Sequence, residues 1–163
     1  MNILEFIRTG WDDTVRTAYH TEGTTLLRLP YPYTVPCKNS NFQELYYWDT
    51  YFTCRGLLLS GRTELVKNNL LNLIYLLDTY GFIPNGNRTF YLNRSQPPFF
   101  ALMVRDYYEA TGDRELLEKA YGAMQTEYQF WMTRRIAPNG LNCYGTDASD
   151  GDYPEYKRFT RTG

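Results

Sequence analysis

Asn41-Phe42-Gln43-Glu44-Leu45-Tyr46-Tyr47-Trp48-Asp49-Thr50-Tyr51-Phe52 is the stretch on which the reading of this chain turns. Helical periodicity begins at Glu44. Trp48, Phe52, Arg55 and Leu59 form one stripe, and Tyr47, Tyr51, Cys54 and Leu58 the adjacent one. The same residues set an amide and two carboxylates among aromatic rings. A hydroxyl-rich ligand needs such a mixture: carboxylates and amides are directional partners, and flat rings cover apolar C–H surface. The plainer reading makes Trp48 and Phe52 core and leaves Glu44 and Asp49 as helix-end or surface charges. Composition leaves both open.

Working toward the C-terminus, Ser60-Gly61 stops this helix, because glycine takes the left-handed position after a last turn. Thr63 is the expected N-cap of the next helix, whose stripe is Val66, Leu70, Leu73 and Leu77 before Gly81. Helices joined by so short a turn run antiparallel. Residues 79–96 then form a polar loop rich in asparagine and arginine, with turns at Pro84 and Asn85-Gly86. Ser95 is the expected cap of a further helix, with Pro97 and Pro98 in its first turn. Phe99, Phe100, Met103 and Tyr107 give that helix an inner face, Gly112 closes it, and Asp113 caps the next. There Leu117, Tyr121, Met124, Tyr128 and Trp131 make the cleanest stripe in the chain and are assigned to core. Thr133-Arg134-Arg135 reads as the helix C-terminus.

Toward the N-terminus, residues 21–43 lose helical rhythm. Pro30, Pro32 and Pro36 favour an extended or turning loop, since each fixes its own φ and restricts its predecessor. Leu4, Ile7, Trp11 and Val15 predict a helix over residues 3–19. The fold class is therefore all-α: about five helices in successive antiparallel hairpins, one helix of each inner and one outer in a larger toroid. A solenoid-like stack is the near alternative, although no fixed-period repeat supports it.

The 163 residues carry a net charge of -1 with 43% hydrophobic and 21% charged residues, which fits one folded soluble domain better than a disordered chain. Lys and Arg form no block, so no nucleic-acid partner is expected. No segment approaches the ~20 apolar residues that span a bilayer, so no membrane partner is expected either. Tyrosine is the anomaly. Its 16 copies suit a wet, hydroxyl-rich cavity or interface. Cys37, Cys54 and Cys143 show neither metal spacing nor a disulfide framework and read as free thiols. His20 has no patterned neighbours, and Asp147, Asp150, Asp152 and Glu155 do not match a calcium loop. Neither metal nor cofactor is expected. Met1-Asn2-Ile3-Leu4-Glu5-Phe6-Ile7 is not a secretory leader, which makes the cytoplasm the default address.

Phe42-x-Glu44-x-Tyr46-Tyr47-Trp48-Asp49-x-Tyr51-Phe52 resembles the N-terminal signature of the trehalases. Asp78 through Arg88, followed by Tyr91-Leu92-Asn93-Arg94-Ser95-Gln96-Pro97-Pro98-Phe99-Phe100, is similar to the family's next conserved block. Pro154-Glu155 resembles the end of a third. The likeness runs from residue 26 to about residue 156. It implies an inverting α,α-trehalase on an (α/α)6 barrel, incomplete here, of which residues 1–163 form the N-terminal portion. It further implies that Phe42, Tyr46, Trp48, Asp49, Asn85, Arg94, Gln96 and Glu155 bind sugar. Asp49 would accept hydroxyl protons, and Trp48 and Phe42 would wall the ring.

Three departures qualify that implication. Where the family motif begins Pro-Gly-Gly-Arg-Phe, this chain has Pro36-Cys37-Lys38-Asn39-Ser40-Asn41-Phe42, so Asn41 stands in place of arginine. Tyr153 replaces the arginine before Pro154. A relative acting on another α-glucoside is one alternative, and a non-catalytic helical interaction module is another. Finally, inversion needs an acid and a base ~6.5–9.5 Å apart, and the family's pair lies in segments absent before Gly163. The expectation is a fragment with sugar-binding but no catalytic residues, inactive alone, and self-associating through helix faces that further helices would cover.

Overall fold

The computed structural model describes residues 2–39 and 41–147. At its centre lies α3 (Thr63–Tyr80), which packs against three other helices and a short strand. Val66, Leu70, Leu73 and Leu77 are buried as expected, and Ile74 and Leu76 widen the face. Each such side chain is worth ~1.5–3 kcal/mol of burial. Packed around α3 are α2 (Tyr47–Leu59), α4 (Phe100–Thr111) and α5 (Arg114–Thr133). Two antiparallel hairpins result, α2–α3 and α4–α5.

The connections at one end are tight. Ser60 caps α2 through its backbone N–H, and Gly61 takes the left-handed turn at φ 70. Gly112 does the same at φ 70, and the Asp113 carboxylate accepts from the Leu116 N–H to cap α5. Thr63 is not a cap: Arg62 holds that position without a side-chain bond, so α3 starts on tertiary packing. Ser95 is not a cap either. Its hydroxyl donates to the Ile83 carbonyl at 2.7 Å, and α4 begins at Phe100, after Pro97 and Pro98.

The N-terminal helix is shorter than its periodicity predicts. α1 (Ile3–Gly10) ends at glycine, and a 3-10 turn over Asp12–Thr14 leads into β1 (Val15–Arg16). β1 pairs antiparallel with β2 (Tyr33–Thr34) inside the proline-rich segment. Two asparagines on α3 bind that segment's backbone. Asn69 accepts the Thr34 N–H at 3.0 Å, and Asn72 accepts the Tyr31 N–H at 3.1 Å while donating to the Tyr31 carbonyl. A loop over a helix thereby satisfies its buried polar groups. Trp11 packs against Gly56, where a Cβ would approach the indole to 2.9 Å, and donates to the Ser60 hydroxyl.

On α5 the buried residues are Leu116, Ala120, Ala123, Glu127, Phe130 and Trp131; of the expected stripe Trp131 is buried and Leu117 and Met124 pack partly against the core. Tyr121 and Tyr128 are exposed. The small Ala120 and Ala123 let α5 approach α3, which bulkier residues would prevent. Phe52 and Leu59 on α2, and Ile3, Leu4, Phe6 and Ile7 on α1, also face outward. None of the described helices is long and apolar enough to cross a membrane.

Candidate functional site

The other end of the hairpins is built from two long loops and the helix termini they serve. α2 begins after Tyr46, whose extended backbone occupies the cap position. The Trp48 N–H, left without an intrahelical partner in this first turn, donates to Gln96 Oε1 at 2.9 Å. The Tyr47 N–H donates to the Asn85 carbonyl, and the Asn85 N–H to the Arg94 carbonyl. Asn87, fully buried, accepts the Leu45 N–H at 2.7 Å and exchanges bonds with Leu27. The loop after α3 is thus stitched to the loop before α2.

These contacts bring Phe42, Tyr46, Trp48, Asp49, Asn85, Arg94 and Gln96 around one open concavity of about 430 Å³, together with Tyr91. The sequence also put Glu155 in the site; it lies outside the described residues. Phe42 is the sole described non-glycine residue with a left-handed backbone, at φ 54. That conformation costs about 1–2 kcal/mol for a bulky L-residue. Its neighbours hold it: the Gln43 side-chain amide donates to the carbonyls of Cys37 and Asn41 and accepts from Arg16 Nε at 2.8 Å. The Phe42 ring then stands edge-on to Tyr46, and Tyr46 edge-on to Tyr91. Gly86 lies beneath, where a Cβ would meet both tyrosine rings at 3.2 Å.

The polar groups differ in how fully they are engaged. Glu44 precedes α2 and is locked by Arg88 at 2.8 Å and by the Tyr46 hydroxyl at 2.9 Å, which removes it as a free acid. Burial, and bonding to Tyr91 and Glu44, hold the Tyr46 phenol far above its usual range, so it stays protonated. The Arg94 guanidinium lies 4.9 Å over the Tyr91 ring and donates to Phe90 and Asn93. Gln96 spends its oxygen on Trp48, leaving its amide N–H groups toward the concavity. The half-buried Asp49 carboxylate meets no side chain or backbone donor among the described residues. Asn41, the replacement for the family arginine, does not line the concavity.

Beyond the concavity the last described segment folds back. Asp147 pairs with Arg134 and the buried Arg135, and its N–H donates to the Asn93 carbonyl beside Arg94. The Arg135 guanidinium holds the Asp147 carboxyl below its ordinary range. No cluster of three or more His, Cys, Asp or Glu side chains among the described residues is arranged to hold a metal.

Sequence reasoning missed one polar group beneath the site. Glu127 on α5 is 6% exposed and accepts from the hydroxyl of Tyr47, which is wholly buried. Burial pushes its carboxyl up to about 7. The detectable signal is a glutamate inside a 4-3-4-3 stripe of small and apolar residues.

Helical hairpins arranged about one central helix, with a mixed aromatic and polar concavity at their loop end, define an all-α protein of the (α/α) type. The trehalase family model matches residues 4–153, and the chain belongs to the trehalase family. A periplasmic trehalase of Xanthomonas axonopodis pv. citri is 47% identical over 131 residues, covering 80% of this chain and 22% of that protein. The periplasmic trehalase of Pseudomonas aeruginosa is 45% identical over 130 residues, 78% of this chain and 23% of the relative. Among solved structures, neutral trehalase Nth1 from Saccharomyces cerevisiae superposes with a TM-score of 0.68 at 27% identity, covering the whole chain and 34% of the yeast protein. The fold is accordingly part of an (α/α)6 toroid, incomplete in this chain, which spans about a fifth of its curated bacterial relatives.

The cytoplasmic address expected above is corrected by these relatives, which are named periplasmic trehalases. That expectation rested on the first residues alone. In a chain spanning a fifth of its relatives, those residues carry no address information.

Proposed function

We propose that this chain supplies the glucose-binding part of a periplasmic trehalase, an enzyme hydrolysing trehalose to two glucose molecules. The observation that carries the reading is the convergence of Phe42, Tyr46, Trp48, Asp49, Asn85, Arg94 and Gln96 on one concavity. Phe42 and Trp48, 62% and 43% exposed, offer apolar faces to the sugar ring. Asp49 accepts hydroxyl protons, Arg94 and the Gln96 amide donate to hydroxyl oxygens, and Asn85 can do either. Glu155, which the family resemblance also assigns to sugar binding, lies outside the described residues.

The bond-breaking step belongs elsewhere in the protein. Inversion uses two carboxyl groups ~6.5–9.5 Å apart. Asp49 alone supplies a carboxylate to the described lining. The family resemblance assigns the acid and base to segments outside residues 1–163, and the reaction needs only water beside them. The exposed apolar faces of α1, α2 and α5 are where further helices of the toroid pack. Expressed alone, the 163 residues self-associate through those faces and release no glucose from trehalose.

Asp49→Ala and Trp48→Ala in the native-length protein test the reading. Each is expected to raise KM for trehalose about tenfold or more, the equivalent of one lost charge-assisted hydrogen bond or ring contact. Unchanged KM in both variants would remove the concavity from the sugar site.

A further inference from the structure

Tyr47 sits between two lining residues yet faces away from the concavity, into the core. Its backbone N–H holds Asn85, and the next N–H, that of Trp48, holds Gln96. Four lining residues are therefore bonded to Tyr47 or covalently adjacent to it: Tyr46, Trp48, Asn85 and, through Trp48, Gln96. The ring's far end is equally committed. The hydroxyl oxygen accepts the N–H groups of Phe99 at 3.0 Å and Phe100 at 2.9 Å, the start of α4. A hydroxyl has two acceptor sites and one proton. With both sites taken by α4, the proton has one place to go, and it goes to Glu127 Oε1.

We infer that Glu127 is a positioning residue for the sugar site, acting through Tyr47. The α5 carboxyl orients the Tyr47 hydroxyl. That hydroxyl ties the first turn of α4 to the first turn of α2, and so fixes where Trp48, Asn85 and Gln96 stand. Tyr47 on α2 bonds Glu127 directly. The second carboxyl oxygen has no hydrogen-bond partner among the described residues, and Glu127 lines a separate, largely apolar concavity of about 360 Å³ with Pro98, Tyr128, Trp131, Asn142 and Tyr144. Glu127 reaches no residue of the sugar concavity directly. Its effect is on geometry and not on chemistry.

The inference rests on the proposed sugar site for its functional readout, and the test separates the two. In the native-length protein, Glu127→Ala is expected to raise KM for trehalose about tenfold with kcat within about twofold, the mark of lost binding geometry. Glu127→Gln restores KM, because a carboxamide oxygen still accepts the Tyr47 proton. In a Tyr47→Phe background the alanine change has no further effect, since its route is gone. Biosynthetic 5-fluorotryptophan gives a readout that needs no sugar: the Trp48 resonance shifts in Glu127→Ala and returns in Glu127→Gln. If Glu127→Ala does not melt cooperatively, Glu127→Asp, one methylene short of Tyr47, replaces it. An unmoved Trp48 resonance with unchanged KM overturns the inference. So does an equal loss with and without the Tyr47 hydroxyl. A moved Trp48 resonance in a protein indifferent to trehalose sinks the proposed function and leaves the positioning contact standing.

Discussion

Between α2 and α3, and again between α4 and α5, the chain reverses within a few residues on Gly61 and Gly112, both at φ 70. At the opposite end of the same helices it spends residues 81–99 on one connection. The first end is made by local rules, a left-handed glycine and an aspartate cap, with one long-range ion pair between Lys67 and Asp113 added to them. The second is made by side chains that reach backbone groups far away in sequence. Gln96 bonds Trp48, Asn87 bonds Leu45, and Tyr47 bonds Phe99 and Phe100. The difference teaches where a site can form. Every helix terminus leaves backbone groups unsatisfied; at the long-loop end the groups that satisfy them come from far away in sequence and bring distant residues to one place.

The sharpest way to break this comparison is through the buried junction under the site. The folded Glu127 carboxyl, raised to about 7 by burial, keeps its proton where the unfolded chain, at about 4.5, has lost it. Stability then falls as pH rises from about 4.5 to about 7 and levels off above, by ~3 kcal/mol. Asp113 and Asp147, held low by Lys67 and Arg135, act the other way, losing stability only as pH drops through their own lowered range. The difference between wild type and Glu127→Gln across the window therefore isolates Glu127. Parallel stability–pH curves for the two proteins would contradict the assignment.

A smaller effect compares the two ends directly. Asn87→Ala leaves the buried Leu45 N–H without its partner and is expected to cost ~2 kcal/mol in urea unfolding. Asp113→Ala removes the α5 cap together with the Lys67 ion pair at the tight end and is expected to cost ~1 kcal/mol. A reversed order would mean that the site end is held by something other than these long-range bonds.

The legible part of the fold was its local part. Gly61, Gly81, Gly112 and Asp113 punctuate the helices where their backbone chemistry requires, and Val66, Leu70, Leu73 and Leu77 mark the α3 core face. Seven residues named as sugar contacts through the family resemblance lie on one concavity; their role is the proposal. What failed did so for tertiary reasons. Val15 continues a helical rhythm yet enters β1, because Gly10 ends α1 and Thr34 offers a pairing partner. On α5 the expected stripe holds only in part: Trp131 is buried and Leu117 and Met124 pack on the core, but Tyr121 and Tyr128 face outward and Leu116, Ala120, Ala123 and Glu127 take the buried face. Ser95 fits a cap by type, but the Ile83 carbonyl claims its hydroxyl. The Tyr47–Glu127 bond joins residues 80 apart, and no local pattern reports it.

A crystal structure of the native-length protein soaked with trehalose bears most directly on the central claim. The account predicts a glucose unit between the Phe42 and Trp48 faces, its hydroxyls on Asp49, Arg94 and the Gln96 amide. Sugar density elsewhere on the molecule, with the concavity holding only water, would contradict it.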